Sequence, residues 1–207
     1  MRGDPAALEG VPGFGVDEND SIIDLASGAS PIVLIGLPGS GKSSIGMILA
    51  SLLGRDFVDT DRVLQARFGQ TIAAIIAQRG WSEFRRLESA VLLDALGNPN
   101  VVIASGGGVV ELPANREAIK RQARVVWLQA TQRHLLSRLA VDTGERPLLQ
   151  QDPATRLAEL AQAREPYYAD LADYRIDTDT RSKRQVAEAI VQIIGGTTEK
   201  DTFENAD

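Results

Sequence analysis

The chain contains no cysteine, a single histidine and few aromatic residues. Without thiols it has neither a disulfide framework nor a thiolate metal site, a composition that fits a reducing cytosol. With His134 as the sole imidazole, there is no histidine cluster for a metal and no ready base for a serine or cysteine nucleophile, and His134 itself reads as a polar residue on a surface helix. Positive charge is also scarce. Lys and Arg number 22 against 28 Asp and Glu, and the net charge of −6 argues against a nucleic-acid-binding body, since such proteins need a basic face to neutralise phosphates. A small anion needs only a few local cations. No apolar run approaches the roughly 20 residues that cross a bilayer, and the N-terminus lacks the basic start and apolar core of a secretory signal. These absences predict a soluble cytoplasmic protein with no membrane or nucleic-acid partner.

What is present is enough for one domain: 207 residues, 43% of them hydrophobic and 24% charged. The chain is organised around Ile32 to Ser44. Ile32 to Ile35 is β-branched and apolar enough for a strand buried on both faces, and Lys42 to Leu53 reads as a helix. Between them, Gly36, Gly41, Lys42 and Ser43 match G-x-x-x-x-G-K-[ST] in the strand-to-helix setting which that pattern requires. The backbone N–H groups of Gly39, Ser40, Gly41, Lys42, Ser43 and Ser44 can then close on phosphate oxygens at a helix N-terminus whose dipole favours negative charge. Lys42 adds a full charge, and the Ser43 hydroxyl is placed to ligate Mg²⁺ on the β and γ phosphates of a nucleoside triphosphate. An ordinary glycine turn is the bland alternative.

The remaining chain alternates strands and helices. Residues 1–29, rich in Gly, Pro, Asp, Glu and Ser around a brief apolar patch at Ile22, Ile23 and Leu25, read as a disordered leader; residues 30–196 form the domain, and the acidic stretch 197–207 reads as a disordered tail. A second strand at Phe57-Val58 ends in Asp59-Thr60-Asp61, two carboxylates at the edge where open α/β sheets bind ligands, or else caps of a following helix. A short helix from Thr71 stops at Gly80, and another runs from Ser82 to Leu96. On it Arg85 and Glu88 share a face, as a surface ion pair or as part of a site turned towards the Asp59 and Asp61 strand end. The third strand, Val101 to Ala104, runs into Gly106-Gly107-Gly108, where three residues without side chains imply a close approach to the backbone or a flexible turn. A helix over 113–121, a strand over 124–128 and a helix from about Thr131 follow. The polar loop Asp142 to Leu149, stiffened by Pro147, is of a kind that closes over a reacting phosphate. Residues 154–165 are helical until Pro166, which bends or breaks the helix. A short fifth strand at 174–176 and a closing helix ending at Gly195-Gly196 complete the pattern. It predicts one parallel sheet covered on both faces, with ligands at its carboxyl edge.

Taken together, Gly36-Leu-Pro-Gly-Ser-Gly-Lys-Ser43, Asp59-Thr-Asp61, Phe84-Arg-Arg-Leu-Glu88, Gly106-Gly-Gly108, Arg146-Pro147 and Arg164-Glu-Pro-Tyr167 resemble the shikimate kinases over residues 31–195. The first motif is widespread; the others, in this order and spacing, are selective. The resemblance implies an α/β, three-layer P-loop kinase fold with a five-stranded parallel sheet, a small lid and a helical substrate-binding region. It implies phosphoryl transfer from ATP to the 3-hydroxyl of shikimate, with Mg²⁺, in a monomer. By carry-over Asp61 holds the ring hydroxyls and takes the attacking hydroxyl's proton, Arg85 and Arg164 grip the carboxylate, and Gly107 offers its backbone. Arg146 in the lid reaches the ATP phosphates, Arg181 lies near the adenine, and Asp59 holds Mg²⁺ through water beside Ser43. Ile76 stands where relatives carry an aromatic, which alters that wall of the pocket. A gluconate or nucleoside monophosphate kinase on the same sheet is the second reading, although a monophosphate acceptor calls for more lid cations than Arg146. A metabolite-binding regulator without turnover is the third, although Lys42, Asp61 and Arg146 are all present.

Overall fold

A parallel sheet needs its strands buried on both faces, and the apolar runs of this chain meet that condition. The structure, a computed structural model, describes residues 30–141 and 152–195. Strands β1 (Ile32–Ile35), β2 (Asp56–Asp59), β3 (Val101–Ala104), β4 (Arg124–Gln129) and β5 (Tyr174–Asp177) form one five-stranded sheet in the order β2-β3-β1-β4-β5. All of its pairings are parallel, with Val33 opposite Ile103 on one side and Val125 on the other.

Side chains of β1 alternate between two cores. Ile32 and Leu34 pack with Ile45 and Leu49 of α1 (Lys42–Leu53) and Val186 and Ile190 of α7 (Lys183–Gly195). Val33 and Ile35 face the other way, towards Leu92 of α3 (Ile72–Leu96), Ile119 of α4 (Pro113–Gln122), Leu135 of α5 (Gln132–Val141) and Leu157 and Tyr168 of α6 (Pro153–Leu171). Helix α1 lies close on its face because residue 46 is glycine: a Cβ there would stand 2.6 Å from the Phe57 ring. A third, smaller core joins α2 (Thr60–Phe68) to α3 through Leu64, Ile75, Phe84 and Val91. Ile76 packs against this small core.

Helix α2 stands directly behind β2, the following helix that the sequence offered as the alternative role of the acids at the strand end. Asp59 is its N-cap, its Oδ1 accepting from the N–H groups of Asp61 and Arg62 at 3.1 Å each. Pro166, however, does not end its helix, for α6 continues to Leu171. The lost N–H bond and ring clash cost about 3 kcal/mol, and the buried Tyr168 and Leu171, two and five residues later, offset it at about 1.5–3 kcal/mol each. The pair of helices expected on either side of Gly80 is observed as α3 bent at that residue, whose φ of 76° and ψ of 166° leave the helical region. Among the described residues, no helix is long and apolar enough to cross a membrane.

Candidate active site

The loop after β1 is built for an anion. Gly36 has φ 144°, and a Cβ there would lie 2.6 Å from the Leu128 carbonyl oxygen, so only glycine fits. Gly41 is the N-cap of helix α1 and has no side chain to cap it, in contrast to Asp59 on α2 and Thr71 on α3. A helix start of this kind, with its positive dipole end at a glycine loop, suits an anion. Lys42 Nζ folds back over the loop and donates to the carbonyls of Gly36 (2.8 Å) and Leu37 (3.0 Å), with Ser40 Oγ at 3.4 Å.

The glycine run after β3 is the second centre. None of Gly106, Gly107 and Gly108 has a positive φ. What demands glycine is space. A Cβ on Gly106 would run into Glu88 Oε1 and lie 2.9 Å from Asp61 Oδ1. On Gly107 it would stand 3.2 Å from Arg164 Nη1, 3.4 Å from the Gly36 carbonyl and 3.5 Å from the Tyr168 hydroxyl, and on Gly108 it would collide with the Arg85 guanidinium. Asp61, Arg85, Gly107 and Arg164, drawn from four separate elements, thus meet at one place, and Gly36 of the anion loop borders it. The run itself is pinned: Ser105 Oγ donates to the Leu34 carbonyl (3.0 Å), the Gly106 N–H donates to Thr60 Oγ1 (2.9 Å), and the Tyr168 hydroxyl donates to the Gly107 carbonyl (2.7 Å).

Charges around the run are interlocked. Arg85 Nη1 pairs with Glu88 at 2.6 Å, and Arg85 Nη2 with Glu111 Oε2 at 2.9 Å. Arg164 addresses Glu111 Oε1 with both Nε (2.8 Å) and Nη2 (2.7 Å). Burial pushes the Glu88 carboxyl up to about 7; the Arg85 guanidinium pulls the other way, and the Asp61 charge adds to the rise. Burial also pushes the Tyr168 phenol up, which keeps it a hydrogen-bond donor.

Other residues singled out from sequence stand at the same carboxyl edge. Asp59 closes β2, one strand removed from β1, and Ser43 lies in the first turn of α1. Two oxygen donors of this type suit Mg²⁺, which keeps several waters and shares phosphate oxygens and does not need a full protein cage. Arg181 is exposed on the loop between β5 and α7. Arg138 ties that loop to the anion loop, donating to the Thr178 hydroxyl (2.9 Å) and carbonyl (2.6 Å) and reaching the Gly39 carbonyl at 3.4 Å. Lys183 adds a second tie, Nζ to Ser44 Oγ at 3.3 Å. Arg146 and the loop around it lie outside the described residues. His134 sits on α5, its Nδ1 2.9 Å from Asp179.

Sequence reasoning did not find Glu111, Tyr168 or Arg138. Glu111 carried one signal, a lone acid between the apolar Val110 and Leu112, three residues after a glycine run.

A family model of shikimate kinase matches residues 38–195. The chain belongs to the shikimate kinase family. A shikimate kinase of Symbiobacterium thermophilum is 47% identical over 163 residues, covering 78% of this chain and 94% of that protein. That of Methylococcus capsulatus is 40% identical over 161 residues, covering 77% and 89%. Among solved structures, shikimate kinase from Acinetobacter baumannii in complex with shikimate is 36% identical with a TM-score of 0.79, covering 84% of this chain and 97% of that one. The five-stranded parallel sheet flanked by helices is the P-loop kinase fold of shikimate kinases. A gluconokinase from Sinorhizobium meliloti, at 19% identity and a TM-score of 0.51, shares the fold alone.

Proposed function

We propose that the protein transfers the γ-phosphoryl group of ATP to the 3-hydroxyl of shikimate, giving shikimate 3-phosphate and ADP on the route to chorismate and the aromatic amino acids. The observation that carries this reading is the meeting of two arginine forks and an aspartate against a glycine run that borders the anion loop. A small cyclic polyol acid has the matching groups. Its carboxylate accepts bidentate bonds from Arg85 and Arg164, its hydroxyls donate to Asp61, and the Gly107 backbone lines its seat.

In the reaction the acceptor oxygen forms a bond to the γ-phosphorus, the bond to the β–γ bridging oxygen breaks, and Asp61 accepts the hydroxyl proton. Phosphoryl transfer needs little covalent help, so alignment and positive charge carry the catalysis. Lys42, the first-turn N–H groups of α1 and Arg146 supply that field, and Arg181 borders the nucleotide base. Ser43, and Asp59 through water, would hold Mg²⁺, which when bound would supply positive charge to the phosphates. The same reading makes the protein a cytoplasmic monomer that acts on small molecules.

The test is ADP release in the presence of ATP and Mg²⁺ against shikimate, gluconate and nucleoside monophosphates. Turnover with shikimate alone is expected, and turnover with only one of the others would replace the reading. Lys42→Ala is expected to lower kcat by about two to three orders of magnitude, the scale on which a preorganised electrostatic contact acts. Near-wild-type turnover would remove Lys42 from the catalytic field.

A further inference from the structure

Glu111 does in this structure what an acceptor's carboxylate would do. Its Oε2 receives Arg85 Nη2 at 2.9 Å, and its Oε1 receives Arg164 Nε and Nη2 at 2.8 and 2.7 Å. One carboxylate therefore spans both guanidinium groups, an oxygen on each. The Nε–Nη2 edge of Arg164, the side of a guanidinium best shaped for a carboxylate, is spent on it. Glu88 also binds Arg85, but it differs in kind. Glu88 is 2% exposed and sits on the same helix three residues away, whereas the Glu111 side chain is 38% exposed and stands at the end of a short 3-10 turn, Val109–Glu111, that leads out of the glycine run. The first is a fixed partner of Arg85, and the second has solvent to move into.

We propose that Glu111 is a tethered competitor for the acceptor subsite: it closes both arginine forks until an incoming carboxylate displaces it. The proposal rests on the reading that Arg85 and Arg164 receive the acceptor's carboxylate. Its physical basis is that Arg164, at 2% exposure, is a buried charge that cannot be left without an anion. Glu111 supplies that anion when the site is empty, and the acceptor supplies it when the site is filled. The exchange keeps the pocket organised between turnovers. It also weakens apparent acceptor affinity, in proportion to the fraction of molecules whose forks are open. A gate closed in roughly 70–90% of molecules lowers that affinity about three- to tenfold.

The experiment measures shikimate binding to the full chain by intrinsic fluorescence, since the Arg85 guanidinium, which changes its carboxylate partner in the exchange, lies 5.5 Å from the Trp81 ring. Glu111→Gln is expected to lower the Kd for shikimate by about three- to tenfold. It is also expected to lower the melting temperature of the unliganded protein and to enlarge the rise that shikimate produces. Glu111→Ala provides a second measurement: millimolar acetate should restore its melting temperature and compete with shikimate, and should do neither in the wild type. Arg164→Lys separates the two layers of the argument. If it weakens shikimate binding while Glu111→Gln leaves the Kd unchanged or raises it, the gate falls and the acceptor site stands. If Arg164→Lys leaves shikimate binding unaltered, the acceptor-site reading falls and the gate with it. Failure of acetate to act on Glu111→Ala also counts against the exchange.

Discussion

Arg85 meets three demands at once: Nη1 holds Glu88, Nη2 holds Glu111, and the guanidinium fills the volume that a Cβ on Gly108 would need. Only a planar fork does this, because an ammonium is a point charge on a flexible stem. Arg85→Lys is accordingly expected to raise the KM for shikimate by about ten- to a hundredfold, the equivalent of roughly 1.5–3 kcal/mol for a charged hydrogen bond, with a much smaller change for ATP. Equal losses for both substrates in steady-state kinetics would detach Arg85 from the acceptor. Glu88 beside it carries a second consequence. Its carboxyl is raised from 4.5 to about 7, chiefly by burial. The folded state therefore holds a proton between those values which the unfolded state has released, and stability falls as pH rises through that window. The stabilisation is complete below about 4.5 and lost above about 7, and its size is on the order of 3 kcal/mol. Urea unfolding from pH 4.5 to 7.5 should show a downward slope that Glu88→Gln, whose amide does not titrate, flattens. Parallel slopes for the two proteins would show that Glu88 is ionised throughout.

Among the elements, the boundaries that mattered for the site were readable where a residue type forces the backbone. The anion loop needed glycine at 36 and 41, and the bend in α3 needed it at 80, all three with positive φ. Strands β1 and β3 declared themselves because burial on both faces leaves no polar position. Asp61, Arg85, Gly107 and Arg164 were legible as separate motifs, but not the way they touch, which depends on tertiary distances. The three glycines after β3 signalled a close approach, and that approach is made by Glu88, Asp61, Arg164 and Arg85 themselves. Helix α2 was legible only through the acids that cap it, because much of it is polar and exposed, with Leu64 as its one fully buried large side chain. Pro166 was misjudged because a local rule was set against burial that only the fold supplies. That balance can be measured. Pro166→Ala restores an N–H donor and removes the ring clash, so α6 should gain about 1–3 kcal/mol, less the roughly 0.4–1 kcal/mol by which proline restricts the unfolded chain. A higher midpoint in urea with an unchanged slope is the expected result, and a lower midpoint would mean that the ring packs favourably where it stands.

At the scale of the whole molecule, the three hydrophobic clusters divide the protein unequally. The two large ones clamp the sheet between α1 and α7 on one face and α3 to α6 on the other, whereas α2 and the start of α3 rest on a cluster whose fully buried members are Leu64, Ile75, Phe84 and Val91. Local opening costs less where fewer apolar side chains are buried, at about 1.5–3 kcal/mol for each. The α2–α3 region should therefore open more readily than the sheet. The proposed acceptor site straddles this division: Asp61 belongs to α2 and Arg85 to α3, while Gly107 follows β3 and Arg164 belongs to α6. A bound acceptor then ties the weaker unit to the stronger one. Hydrogen exchange followed by mass spectrometry should find the amides of Thr60–Phe68 and of residues 72–79 exchanging well before those of β1 and β3 in the unliganded protein. Shikimate should slow these helices by about tenfold or more at concentrations far above its Kd, because ligand binding to the closed form alone opposes opening by mass action. Protection equal to that of the sheet from the outset would show that the small cluster is not a separate unit. Slowing by nucleotide alone would place the acceptor elsewhere than between the two.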